Sequence, residues 1–303
     1  MISLVIPAHN EEPVIGRLLD AVLAGAAPGE LEAIVVCNAC RDRTAEVARS
    51  YGPSVKVVET DIPSKTHAIN LGDQAATGFP RIYMDADVVM SLASVRGLAA
   101  ALAEGGVLAA APAVDTLFLD GTAWAVRAYY RFWMALPFVQ EGMMAAGVYA
   151  VSAEGRRRWS ELPDVIADDG YVRLLFTSAE RVEVKDAVSA VTAPARFADL
   201  IRIKTRSRLG VAQLRDRFPD LFAREQRSKR HVAALAAMLR RPSHYVDAIP
   251  FVLVSVISRV RAGRQLRRAG GYLWERDNSS RAPLPNGAGG PAVAGVTCKN
   301  GGE

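Results

Sequence analysis

The sequence predicts an α/β protein whose core is a mostly parallel, Rossmann-like doubly wound sheet flanked by helices. Short apolar runs alternate with amphipathic helical stretches over the first hundred residues, the pattern of strand–helix–strand units. The runs are continuous in apolar character, as expected of strands buried on both faces. Half of the 303 residues are hydrophobic, which allows a sizeable core in one large or two modest domains.

Ile2–Ile6 is the first such run, and Pro7 is expected to stop it. Ala8-His9-Asn10-Glu11-Glu12 then forms a turn. Pro13 suits the first turn of a helix in which Val14, Ile15, Leu18, Leu19, Val22 and Leu23 share one face. Ala33–Val36 is the next strand, and Asp42 is placed to cap a helix through Arg49. Val55–Val58 gives a third strand, Thr66–Ala76 a helix and Ile82–Asp85 a fourth strand.

Beyond Asp87 the pattern loosens. Val107–Val114 is strand-like, and Gly121–Leu136 is a helix rich in aromatics, suited to core packing or, less simply, to sugar stacking. Glu141–Ser152 reads as a loop entering a strand. Pro163–Asp169 is a polar loop, and Gly170–Phe176 begins a helix. Leu200–Gly210 carries Arg202, Lys204, Arg206 and Arg208, either a solvated helix face or a cationic one beside a site. The C-terminal stretch Asn278–Glu303, with Cys298, is Gly-, Pro- and Asn-rich without periodicity and is expected to be disordered.

The chemistry is expected at Asp85-Ala86-Asp87. Residues two apart in an extended segment point to one side, so two carboxylates at a strand end can serve one ligand. Carboxylate oxygens suit Mg²⁺ or Mn²⁺, ions that also bind a substrate's phosphates. Open parallel sheets bind ligands at the carboxyl ends of their strands, where His9, Asn38 and Asp85 all fall. No glycine-rich phosphate loop follows the first strand, so diphosphate charge would fall to the cation and to residues such as Lys65. Asp168-Asp169 is either a helix cap pair or the source of a general base, since adjacent carboxylates repel and one is pushed toward proton capture.

Three cysteines speak against a disulfide framework and for a reducing, cytoplasmic setting; the Cys37–Cys40 pair has no second pair at metal-ligand spacing. The N-terminus lacks the features of a signal peptide. Charge is uneven: Arg224–Arg268 holds 11 Lys/Arg against two acids, a net of +9 that leaves −4 for the remainder of a chain at +5. A mildly acidic body with one basic appendage argues against nucleic-acid binding and for a local anionic surface such as the inner face of the plasma membrane. Within that appendage Val252, Leu253, Val256, Ile257 and Val260 form a stripe flanked by Arg259 and Arg261, with Pro250 in the first helical turn. The stretch is too short to span a bilayer. It either lies in the interface or docks its stripe on the body.

Taken in order, Ser3-Leu4-Val5-Ile6-Pro7-Ala8-His9-Asn10-Glu11-Glu12, Asn38 with Asp42 and Thr44, Lys65, Asp85-Ala86-Asp87, Ala167-Asp168-Asp169 and Thr205-Arg206-Ser207-Arg208-Leu209 resemble the motifs of family 2 glycosyltransferases of the GT-A fold. Asn38-Ala39-Cys40-Arg41-Asp42 and Trp274-Glu275-Arg276-Asp277 also look like a bacterial subgroup. The resemblance spans roughly residues 1–215, with a nucleotide-sugar half to about 90 and an acceptor half beyond. Residues 216–277 are then a helical, basic extension and 278–303 a tail. It implies an inverting, non-processive transferase that moves a sugar from a nucleotide-diphosphate donor to a hydroxyl acceptor, in cell-surface glycan or glycolipid synthesis. Pro7, Ala8, His9, Glu11 and Asn38 would border the base and ribose. Asp85 would meet the ribose or the cation's surroundings with Ala86 beside it, and Asp87 the Mn²⁺ or Mg²⁺. Arg206 and Arg208 would face the diphosphate, and Asp169 would be the base. Leu209 stands where processive members have Trp. The rivals are a sugar-phosphate nucleotidyltransferase, which would want a Gly-rich Arg-bearing loop after the first strand, and a non-catalytic membrane-assembly partner that keeps the fold.

Overall fold

The computed structural model describes residues 1–136, 147–224 and 245–267. The loop residues 141–146, residues 225–244 and 268 of the basic segment, Trp274–Asp277 and the tail from 278 with Cys298 lie outside them.

Four strands run parallel at one end of the sheet: β1 (Ile2–Ala8), β2 (Leu31–Asn38), β3 (Val55–Thr60) and β4 (Arg81–Met84), in the order β3-β2-β1-β4. Beyond β4 the sheet becomes mixed. β7 (Val148–Val151) pairs antiparallel with β4 and with β6 (Ala109–Leu117). β8 (Arg181–Thr192) is parallel to β6, and β5 (Val89–Met90) closes the edge antiparallel to β8. The expectation of a mostly parallel sheet thus describes the first half, where strand–helix units repeat.

Successive residues of β1 serve opposite layers, as the period of a strand requires. Ile2, Leu4, Ile6 and Ala8 join α1 (Glu12–Leu23), α2 (Thr44–Arg49) and α4 (Leu92–Ala103) in one core. Val5 joins Tyr83, Tyr149 and Ile69 of α3 (Lys65–Ala75) in the core of the other face. That explains the unbroken apolar runs. Two further helices lie before the long one: α6 (Ala153–Arg156) and α7 (Asp168–Leu174). The long helix α8 (Phe197–Arg217) is followed by α9 (Pro219–Arg224) and α10 (Tyr245–Leu266), and α10 packs on α8 and on α5 (Trp124–Met134).

Several boundaries differ from the sequence reading. Pro7 does not stop β1; the strand continues to Ala8, paired with β2. Pairing with β4 has already ended at Val5, so Pro7 lies where only one edge is bonded. β5, α4 and β8 were not anticipated. Asp42 does not cap one helix alone: it accepts from the amides of Thr44 and of Glu12, joining the starts of α2 and α1. Pro250 lies inside α10, not in its first turn. The turn before it is held by buried Ala248 and by Arg131, which grips Asp247 through two bonds of 2.9 and 2.7 Å.

Buried Asp73 on α3 fixes the second layer. It accepts from Arg81 of β4 at 2.5 Å and from the Tyr83 hydroxyl at 2.7 Å, and pairs with Arg156 of α6. Gly72, beside it, lets α3 ride low on the sheet; a Cβ there would stand 2.6 Å from Val5 Cγ1. Gly72→Ala is expected to cost about 1–3 kcal/mol of stability by overpacking. Chemical denaturation checks this, and a midpoint within error of the parent would contradict it.

Candidate active site

The carboxyl ends of β1, β2 and β4 share one edge of the sheet, and their loops are tied to each other before any ligand is considered. Asn38 at the end of β2 is buried and donates from Nδ2 to the Ala8 carbonyl at 2.9 Å. His9 Nδ1 lies 2.6 Å from the Asn38 carbonyl, which only accepts, so the ring proton sits on Nδ1. Asn10 and Ala39 both adopt left-handed backbone, with φ of 52° and 48°. For Ala39 this is a strained conformation of the kind that clusters at ligand sites. It is held by a bond from its amide to the Thr60 carbonyl at 2.7 Å. Glu11 is buried, and its amide donates to Thr44 Oγ1 at 2.8 Å. Cys37 and Cys40 sit under this loop. The hydrogen bond from Cys37 pulls the Cys40 thiol down to about 6 and pushes that of Cys37 up.

Asp85 follows β4 directly. Its amide donates to the Gly147 carbonyl at 2.8 Å. Gly147 needs to be glycine twice over: its φ is +87°, and a Cβ would meet Asp85 Oδ2 at 3.1 Å. Ala86 is buried, so the turn presents Asp85 and Asp87, both partly exposed, and keeps the residue between them inside. Arg17 of α1 donates to the Asp87 carbonyl at 3.3 Å.

The acid pair arrives from the other side of the chain. Ala167 occupies the cap position of α7, and Asp168 and Asp169 are its first helical residues. The pair therefore sits in the first turn, where the helix dipole favours negative charge, and is not the cap. Lys65, at the start of α3, bridges the two motifs: its Nζ lies 2.7 Å from Asp85 Oδ1 and 2.9 Å from Asp168 Oδ1. Burial works against the Lys65 charge, but Asp168, Asp85 and Asp169 together hold it above the usual lysine range.

Asp168 is nearly inaccessible. Burial, opposed by Lys65 and reinforced by Asp169 and Asp85, raises its carboxyl to about 6. The carboxylate lifted by its neighbour is thus Asp168, while Asp169 is the one that reaches solvent. Asp169 Oδ1 accepts from the Gly170 amide at 2.7 Å. The buried Tyr149 hydroxyl, which feels the same three carboxylates, has no hydrogen-bond partner among the described residues.

Helix α8 grips the segment that leads into the pair. A Cβ on Gly210 would stand 2.9 Å from Ala167 Cβ, and Gln213 accepts from the Ile166 amide at 2.8 Å. Of the four cations predicted on this helix, Arg202 pairs with Asp199 at 2.7 Å. Lys204 lies 4.7 Å above the Trp133 ring and 5.4 Å from that of Tyr129, and burial with Arg208 nearby lowers it to about 8. Arg208 turns to α10, where its Nε donates to Ser258 Oγ at 2.7 Å. Arg206 is partly exposed.

Among the described residues no three His, Cys, Asp or Glu side chains are grouped to hold a metal by themselves. Asp85 and Asp87 offer two carboxylates, which would fit a hard cation that completes its shell with water and phosphate oxygens. Sequence reasoning missed Arg17, Gly147, Tyr149 and Gly210. Only Gly210 left a trace, as a glycine directly after Thr205–Leu209.

Residues 3–151 match the family described as glycosyl transferase family 2. Over 91 residues, 29% of this chain, the sequence is 37% identical to 4,4'-diaponeurosporenoate glycosyltransferase of Staphylococcus aureus strain USA300. That match spans 24% of the relative, so the chain covers about a quarter of the length of the curated relatives it matches. A mannosyltransferase from Pyrobaculum calidifontis, solved with GDP-Man and Mn²⁺, shares the fold at a TM-score of 0.62, 19% identity and 86% coverage of each chain. Glucosyl-3-phosphoglycerate synthase from Mycobacterium tuberculosis, solved with Mn²⁺, UDP and phosphoglyceric acid, does so at 0.50, with 23% identity and coverage of 72% of this chain and 78% of that one.

The position of Lys65 is open to a direct test. Asp168 is expected to titrate near 6 by carboxyl ¹³C NMR. Lys65→Met removes the charge that lowers this value, so the titration should move upward. Because the folded value exceeds the unfolded one, the Asp168 contribution to stability grows as pH falls from about 6 toward 4. A wild-type titration at the ordinary aspartate position would contradict this account.

Proposed function

Because the chain belongs, through residues 3–151, to glycosyl transferase family 2, we propose that it transfers a sugar from a nucleotide-diphosphate donor to an acceptor hydroxyl with inversion at the anomeric carbon. The observation that carries this reading is Lys65. One ammonium joins Asp85, at the end of a parallel strand, to Asp168, whose neighbour Asp169 is open to solvent. GDP-Man with Mn²⁺ in one solved neighbour of the same fold, and UDP with Mn²⁺ in another, support the donor class and a divalent cation; Mn²⁺ or Mg²⁺ is the proposed ion.

In this reading Pro7, Ala8, His9, Glu11 and Asn38 border the base and ribose. The tied loops of β1 and β2 supply a preformed wall, and the His9 ring stacks on the base. Asp85 and Asp87 would hold the cation, which when bound would neutralise charge on the departing diphosphate. Lys65 orients Asp85. Asp169 accepts the proton of the acceptor hydroxyl as its oxygen bonds to the anomeric carbon. The bond from that carbon to the diphosphate oxygen breaks, and the nucleoside diphosphate leaves with the electron pair. Asp168, buried and paired, is better suited to holding Lys65 and the start of α7 in place than to meeting the acceptor. Arg206 is assigned to the diphosphate; Arg208 joins it only by giving up Ser258.

Leu209 is buried and offers no platform for sugar stacking, which supports a single-addition enzyme. No helix among the described residues is long and apolar enough to cross a membrane. A cytoplasmic enzyme of glycan or glycolipid synthesis, resting on the inner membrane face, is the proposed setting.

Asp169→Asn is expected to keep donor binding by calorimetry while transfer falls by about 10²–10⁴, the usual worth of a general base. Near-normal turnover would remove Asp169 from the mechanism. Rigorous chelation should abolish transfer and Mn²⁺ restore it; full activity without divalent ions would refute the role of Asp87.

A further inference from the structure

Both faces of α10 carry apolar side chains. The inner face holds buried Ala248, Val254, Ser258 and Ala262, with Phe251 packed on Tyr129 and Phe132 of α5. A second apolar row points outward. Ile249, Val252, Leu253, Val256, Ile257 and Val260 are 36–59% exposed and follow one another along a single face. The sequence left open whether this stripe docks on the body. Among the described residues it does not, because the opposite face already does so, fixed by the Arg131–Asp247 pair at one end and Arg208–Ser258 further along.

The charges around that face identify what it meets. At about 100° per residue, Arg259 and Arg261 fall on its two flanks, and Arg264 and Arg267 continue it toward the C-terminal end. From Ala248 to Arg267 the helix contains no acid. The acid before that, Asp247, is taken by Arg131. A second copy of the same face would bring arginines against arginines. An anionic bilayer offers acyl chains to the apolar centre and phosphates to the flanks, the arrangement of an interfacial helix.

We propose that α10 seats the protein on an anionic membrane surface with its outer face in the headgroup–acyl boundary. The same helix packs on α8, and α8 meets Ala167 at Gly210, so the anchor is rigidly coupled to the acid pair. Resting on the transferase reading, this makes the acceptor a hydroxyl of a membrane-borne lipid.

The full chain is mixed with vesicles of neutral phospholipid or with 30% anionic lipid, as an assay choice of about physiological surface charge, and floated on a density gradient. Flotation on the anionic vesicles is expected, with loss at high salt. Val252→Glu with Val256→Glu should weaken it by about 50-fold or more, since two buried apolar side chains are replaced by charges. Arg259→Gln with Arg264→Gln should weaken it about 5-fold per arginine on anionic vesicles only. Circular dichroism and donor calorimetry confirm that the variants fold. Protein that stays at the bottom at low salt, or floats equally well as the double-glutamate variant, overturns the proposal. So does light scattering that shows a dimer which the double-glutamate variant dissociates, for then the face belongs to a second copy. Flotation needs neither donor nor acceptor, so its failure leaves the transferase reading untouched, and loss of donor binding leaves this one untouched.

Discussion

A single ammonium sets the geometry of the cleft. Asp85 belongs to the parallel half of the sheet, and Asp168 is reached only after a further 83 residues of mixed strand and helix. Nothing in either local segment fixes their separation. Lys65 does, by standing within 3 Å of both. It is an unusual place for a lysine, since the first turn of a helix disfavours positive charge. Ser64 caps that turn by accepting from the His67 amide. The carboxylates supply the favourable term: without Lys65, a buried Asp168 would face Asp85 and Asp169 with no counter-charge, and burial alone would drive it to take up a proton.

The clamp works only if α3 and α7 come close, and small residues allow that. Gly72 lowers α3 onto Val5 and Val36. Gly210 admits Ala167 to the surface of α8, and Gly147 admits the Asp85 carboxylate. Each is a steric permission with no chemistry of its own. The buried cluster of Asp73, Arg81, Arg156 and Tyr83 then holds α3 from its other end, tying it to β4 and α6. Lys65 thus extends from a helix fixed at both ends.

This division explains what could be read from the chain. Ile2–Ile6, Ala33–Val36 and Val55–Val58 announce themselves because strands covered on both faces need continuous apolar sequence. β8 does not. Its Lys185-Asp186 lies in a register shift opposite Pro112 and Ala113, and the charges break the apolar run that would mark a strand. β5 is two residues long, too short for any period. In the site, the motif acids were legible because their spacing carries chemistry. The identity of the buried acid within Asp168-Asp169 was not, because which of two neighbours faces inward depends on the phase of α7. The partner of Arg208 was hidden for the same reason: Ser258 is 50 residues away and carries no signal of its own. In α10 the stripe was visible, but a stripe alone does not say which of two apolar faces a helix turns to the body.

Charge in the cleft bears on why a cation belongs to the proposed chemistry. Asp85, Asp168 and Asp169 bring three carboxyl groups to Lys65, and Asp87 follows Asp85 by two residues. Lys65 is already divided between two of them. Arg17 lies near Asp87 but is partly buried on α1 and bonded to backbone, and burial lowers its pKa. Arg173, the cation near Asp169, is lowered to about 10 by burial and by Arg181. A diphosphate entering this surface would meet carboxylates at close range with no uncommitted cation among these three, and such like-charge contacts are costly where water is excluded. A divalent ion held at Asp85 and Asp87 would reverse the sign of that encounter. On the proposed reading, the acids that make the cleft hostile to a bare diphosphate would favour one that arrives with its metal, and Asp169, outside the Lys65 clamp, would face the acceptor.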